Sequence, residues 1–190
     1  MNIKNKLSTK ALVTAALLTA IVVVLQYMGA FIKFGPFSIS LVLVPIVIGA
    51  ATCGPMVGAW LGLIFGFVVL ISGDAGIFLA INPLGTIATV LLKGIACGLC
   101  SALVYKWLSR FNKYIAVAVS AIVCPVVNTG VFLIGCLLFF MEAVSQWAGG
   151  GNVFNYMIVG LVGVNFLIEL VINVVLSPVI VRILNIRKIN

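Results

Sequence analysis

A lysine buried in an apolar run has to be explained by chemistry. Lys93 stands in "NPLGTIATVLLKG" (residues 82–94), about ten residues and so about 15 Å into the segment at 1.5 Å per residue. A lysine at the centre of a bilayer costs about 2.5 to 3.5 kcal/mol on insertion scales, so Lys93 needs a cavity, a partner or both. Glu169 lies at a similar depth in the last apolar segment. There "VNFLIELVIN" sets Asn165, Glu169 and Asn173 four residues apart, one polar stripe along one helix face. Asn128 follows Pro125 in "CPVVNTG", where the proline ring removes a backbone donor and frees a carbonyl. Asn82 stands at the mouth of the Lys93 segment, just ahead of Pro83.

Two readings of this set stand side by side. In one, Lys93 and Glu169 form an internal ion pair among amides that holds helices together and does nothing else. In the other they line a solute pocket, with the Lys93 ammonium on a carboxylate and Asn128, Asn165 and Glu169 bonding hydroxyl and amide groups. Buried ion pairs stabilise poorly compared with apolar packing, and ionisable groups inside a membrane mark functional sites, which favours the pocket. Glu169 counts against an anionic ligand unless it pairs with Lys93 or is protonated. Catalysis is not expected: the chain has no histidine and three acidic residues, and no metal or nucleophile constellation. Cys97 and Cys100 have zinc or redox spacing but no second ligand pair, so with Cys53, Cys124 and Cys136 they read as small apolar helix residues.

These side chains must be positioned by a membrane bundle. The 190 residues are 64% hydrophobic and 7% charged, with a mean hydropathy of +1.38, outside the range of soluble domains. A hydrocarbon core of about 30 Å needs roughly 20 residues per crossing, which gives about six helices and no soluble unit. The expected fold is all-α and integral to the membrane, one domain over residues 1–190. Crossings are expected near Ala11–Met28, Ile39–Thr52, Met56–Ile71, Leu84–Trp107, Tyr114–Met141 and Tyr156–Leu184. Pro45 is expected to bend or tilt the second.

The net charge of +8 does not point to nucleic acid, because the basic residues flank apolar segments instead of forming a patch. Lys4, Lys6 and Lys10, then Lys106, Arg110 and Lys113, then Arg182, Arg187 and Lys188 all fall on one side of six crossings, which places both termini in the cytoplasm. The basic, then apolar start reads as a retained first helix after a Ser8 or Thr9 cap. Outer loops are expected at Gly29–Ser38, Ser72–Pro83 and Glu142–Asn155, the last made mobile by three glycines. Small residues four apart share a face: Ala11 with Ala15, Ala16 with Ala20, and Gly58, Gly62 and Gly66 in series.

The segments "ALVTAALLTA" (11–20), "GPMVGAWLGLIFG" (54–66), "NPLGTIATVLLKG" (82–94) and "CPVVNTGVF" (124–132), in this order and length, resemble the substrate-binding S component of energy-coupling factor vitamin transporters. The resemblance implies a six-helix, multi-pass subunit of a prokaryotic cell membrane that binds a vitamin from outside. Its partners would be a transmembrane coupling protein and two cytoplasmic ATPases; the chain itself would hold no cofactor, ATP being used by the partners. Ala11, Ala15, Ala16 and Ala20 would meet the coupling protein, the outer loops would close over the ligand, and the subunit would topple in the membrane to deliver it. "LLKG" and "VVNTG" resemble the pantothenate and folate branch. Pantothenate offers the carboxylate, hydroxyls and amide that Lys93, Asn82, Asn128, Asn165 and Glu169 suit. Riboflavin lacks the carboxylate, and riboflavin or folate would call for more stacking partners in the last crossings than Phe132, Phe139 and Phe166. Folate, riboflavin or another B vitamin stays open, as does an autonomous proton-coupled carrier using Glu169, although the two halves show no inverted repeat.

Overall fold

The computed structural model describes residues 9–30, 33–34, 37–38 and 40–189, with only the backbone described at 33–34, 37–38 and 186–189. Lys4, Lys6, Ser8 and much of the Gly29–Ser38 loop lie outside the described residues, as do the side chains of Arg187 and Lys188. Helices α1 (Thr9–Gly29), α2 (Leu43–Cys53), α3 (Pro55–Ile71), α4 (Gly76–Ile81), α5 (Pro83–Leu108), α6 (Lys113–Phe139), α7 (Met141–Trp147) and α8 (Val153–Asn155) follow in order. A π-helical stretch, Tyr156–Gly163, then leads into α9 (Val164–Ile189). A two-residue antiparallel ladder, β1 (Lys33–Phe34) and β2 (Phe37–Ser38), sits between α1 and α2.

Among the described residues, four helical runs are long and apolar enough to cross a membrane: Thr9–Gly29, Pro83–Leu108, Lys113–Phe139 and Val153–Asn185. α3 has 17 residues and α2 only 11, or about 16 Å for α2 at 1.5 Å per residue. The short length of α2 follows from its place. It packs on α1, α3, α5, α6 and α9, and none of its residues is exposed, so its length need not match the lipid. Pro45 does not bend it; the proline is buried in the first turn, where its missing N–H leaves no bond broken.

Glycines bring α3 and α5 to backbone contact. A Cβ on Gly62 would fall on the Gly94 carbonyl oxygen and one on Gly98 on that of Gly58, while Gly66 faces the Val90 carbonyl. The predicted glycine face therefore meets a second one that includes the residue next to Lys93. α5 is joined to α6 by a reciprocal pair: Ser101 Oγ donates to the Ser120 carbonyl (3.1 Å), and Ser120 Oγ to the Ser101 carbonyl (2.9 Å).

Two expected loops contain helices. Ser72–Pro83 holds α4, which buries Phe78, and Glu142–Asn155 overlaps α7, which buries Val144. Phe78 meets Phe132, Phe140 and Trp147 edge-on at centroid distances of 5.5, 5.0 and 5.7 Å. One apolar anchor per helix is enough to order these connections. The glycines of the second turn the chain, Gly149 and Gly150 adopting φ of 58° and 86°.

Candidate functional site

Over the amino end of α2 lies a pocket of about 490 Å³ of empty space. Because α2 starts only at Leu43, Ser40 ahead of it joins the pocket wall, and the Ser40 N–H donates to Glu169 Oε1 at 3.0 Å. A carboxylate at the start of a helix is also favoured by the helix dipole. Glu169, 5% exposed, thus ties α9 to the chain entering α2. One turn on, Asn173 Nδ2 donates to the Glu169 carbonyl at 2.8 Å; Asn173 is buried below the pocket and does not line it.

Lys93, Asn128, Asn165 and Glu169 line this pocket together, with Asp74 and Thr129 among its other polar walls. Lys93 does not pair with Glu169 or with Asp74. Among the described residues its ammonium makes no ion pair, and it faces the rings of Phe65 (5.4 Å) and Phe132 (5.6 Å) instead. Aromatic faces support a cation without neutralising it, so the internal ion pair is replaced by an ammonium still able to take an anion. Asn128 is 5% exposed, and its buried Oδ1 accepts no hydrogen bond. A buried amide oxygen left in that state costs about 1 to 3 kcal/mol unless a ligand or water bonds it.

The lysine stands at a junction between two chambers. A second chamber of about 370 Å³ shares Val69, Asp74, Lys93 and Phe132 with the first and continues to Phe78, Thr86, Thr89, Val90 and Phe140. Asn82 lines neither chamber; its Oδ1 caps α5 by accepting from the Gly85 N–H at 2.9 Å. The first half of the chain contributes more than its polarity suggested. Gln26 of α1, 1% exposed, donates to Asp74 Oδ2 at 3.3 Å and so holds the turn that carries Asp74 at the junction. Phe65 and Phe78 likewise add aromatic surface beyond that of the last crossings. Thr86 and Thr89 had a readable signal, because Asn82, Thr86, Thr89 and Lys93 recur at intervals of four, three and four on one face of α5. Ser40 had none, since it acts through its backbone.

The four alanines of α1 divide between two faces: Ala11 is buried, Ala15 half-buried against the core, and Ala16 and Ala20 exposed. Beside Ala15 an apolar groove runs between α1 and α3, past Leu12, Met56, Ala59, Trp60 and Leu63.

A protein-family model described as "ECF transporter, substrate-specific component" matches residues 10–181. The chain belongs to this family. No curated protein and no solved structure matches it. As an S component it is a multi-pass membrane subunit that binds a vitamin-type substrate for a transporter whose other parts are membrane-coupling and ATPase components. Among the described residues, two adjoining chambers around Lys93 bring polar side chains of its bundle together.

Proposed function

We propose that this S component captures pantothenate from outside the cell and delivers it inward when separate ATPase subunits hydrolyse ATP. The observation that carries the reading is the Lys93 ammonium, half-buried in the pocket wall, facing two rings and making no ion pair with Glu169 or Asp74. A carboxylate there would make a charge-assisted hydrogen bond in a water-poor site. Asn128 and Asn165 supply partners for an amide or hydroxyl, and the Ser40 N–H answers part of the Glu169 charge that would repel an anion. The chain would act without chemistry of its own and without a bound cofactor.

In this reading the chain crosses the membrane of a prokaryotic cell six times, α2 and α3 being the short crossings, with both termini and the α5–α6 connection inside. Lys10, Lys106, Arg110 and Arg182, all exposed, support that orientation. The exposed Ala16 and Ala20 support docking of a coupling protein along α1.

The test is titration of the purified chain with a panel of B vitamins, read by tryptophan fluorescence. Trp147, in contact with the Phe78 ring that walls the second chamber, is the reporter expected to respond. Lys93→Met should weaken pantothenate at least about tenfold, 1.4 kcal/mol, with the melting profile unchanged. Affinity within about threefold of the unmodified chain would make Lys93 structural.

A second reading, a carrier that works alone on a proton gradient, is favoured by one observation, the buried Glu169 carboxylate in the pocket wall. It requires uptake by this chain in liposomes driven by a pH gradient and abolished by Glu169→Gln. The S-component reading requires none.

A further inference from the structure

The second chamber has a feature that the Lys93 site does not explain. Hydroxyls on the helices of this protein bond back to the carbonyl four residues earlier: Thr14 to Lys10, Thr19 to Ala15, Thr52 to Ile48 and Thr86 to Asn82, at 2.7–2.8 Å. This is the ordinary way for a helical threonine to satisfy itself in an apolar setting. Thr89 departs from it. It is 4% exposed, its Oγ1 has no hydrogen-bond partner, and it lines the second chamber. Room for its side chain comes from Gly135 of α6, where any Cβ would collide with Thr89. The apolar walls of the chamber are Phe78, Val90 and Phe140, Thr86 is already committed to the Asn82 carbonyl, and Asp74 and Lys93 are shared with the first chamber. The chamber thus sets apolar walls beside one buried, unpartnered hydroxyl, which a turn about the Thr89 side-chain bond would bring to a ligand.

We propose that this chamber is a second subsite, which takes the apolar, branched and hydroxyl-bearing end of the ligand while the carboxylate stays on Lys93 on the side of the first chamber and the amide spans the junction. The proposal rests on the pantothenate reading and deepens it. Pantothenate carries, at the end away from its carboxylate, a quaternary carbon with two methyl groups set between two hydroxyl-bearing carbons. The methyl pair fits the walls of Phe78, Val90 and Phe140, and a neighbouring hydroxyl fits Thr89 Oγ1. Lys93, common to both chambers, stands where the ligand passes from one to the other. Selection among carboxylate vitamins then lies in the second chamber, since Lys93 alone would accept any of them.

Isothermal titration of the full chain in detergent, with pantothenate and with its analogue lacking both geminal methyl groups, tests the subsite. The unmodified chain should prefer pantothenate by at least about tenfold, as loss of buried methyl groups from a fitted site implies. Ala75→Leu, which fills the chamber from the residue before α4, should bring the two affinities within about twofold of each other. Thr89→Val keeps the shape and removes the hydroxyl, and should weaken both ligands by a common factor of about five. A preference that survives Ala75→Leu, or binding unchanged in Thr89→Val, overturns the subsite and leaves Lys93 in place. If Ala75→Leu does not fold, Thr89→Val decides. If neither ligand binds the unmodified chain, the pantothenate reading fails and takes the subsite with it.

Discussion

Lys93 and Glu169 divide the work that a single ion pair would have merged. The ammonium rests between Phe65 and Phe132, and the carboxylate is engaged by the Ser40 backbone. Glu169→Gln should therefore keep the Ser40 bond, because a glutamine retains the accepting oxygen, while removing a negative charge from the wall. Affinity for pantothenate is expected to rise by a few-fold at neutral pH, read by the same titration. A fall would give the Glu169 charge a direct part in holding ligand. The residues that bear charge were legible because charge is costly where they lie. Their partners were not. Nothing in the types of Phe65 and Ser40 distinguishes them from ordinary core and loop residues, and their roles come from which helix the fold sets opposite Lys93 and Glu169.

At the scale of elements, the glycine seam between α3 and α5 fixes the height of Lys93. Gly94 meets the Gly62 backbone directly, so Gly94→Ala sets a methyl group against a carbonyl that cannot move aside. A loss of about 1 to 3 kcal/mol is expected from such overpacking, measured as a lower melting temperature of the purified chain. An equal effect on Gly130, beside which a Cβ would meet nothing, would argue against the seam. The long crossings were readable from apolar length, and their observed ends fall close to the expected ones. Less readable were α4 and α7, which are too short to show a period and are ordered by Phe78, Val144 and the ring cluster they share with α6. The α1 alanines show what spacing alone leaves open. Spacing of four put Ala11 with Ala15 and Ala16 with Ala20, but one residue of offset is about 100° of rotation, which sends the first pair towards the core and the second outward.

For the whole molecule, that rotation selects the informative docking variant. Ala16→Leu projects from an exposed position and should leave pantothenate binding intact while blocking uptake by the assembled transporter. Unaffected uptake would move the docking surface elsewhere. The brevity of α2 has a last consequence. The chain entering it, at Ser40, borders the pocket, while Val47 and Ala50 further along the helix, and Leu61 of α3, are sealed from solvent, at 0%, 1% and 0% exposure. The helix acts as a stopper, with the pocket at one end and close apolar packing along the rest. Liposomes carrying the chain alone should therefore be no more permeable to protons or potassium than bare lipid.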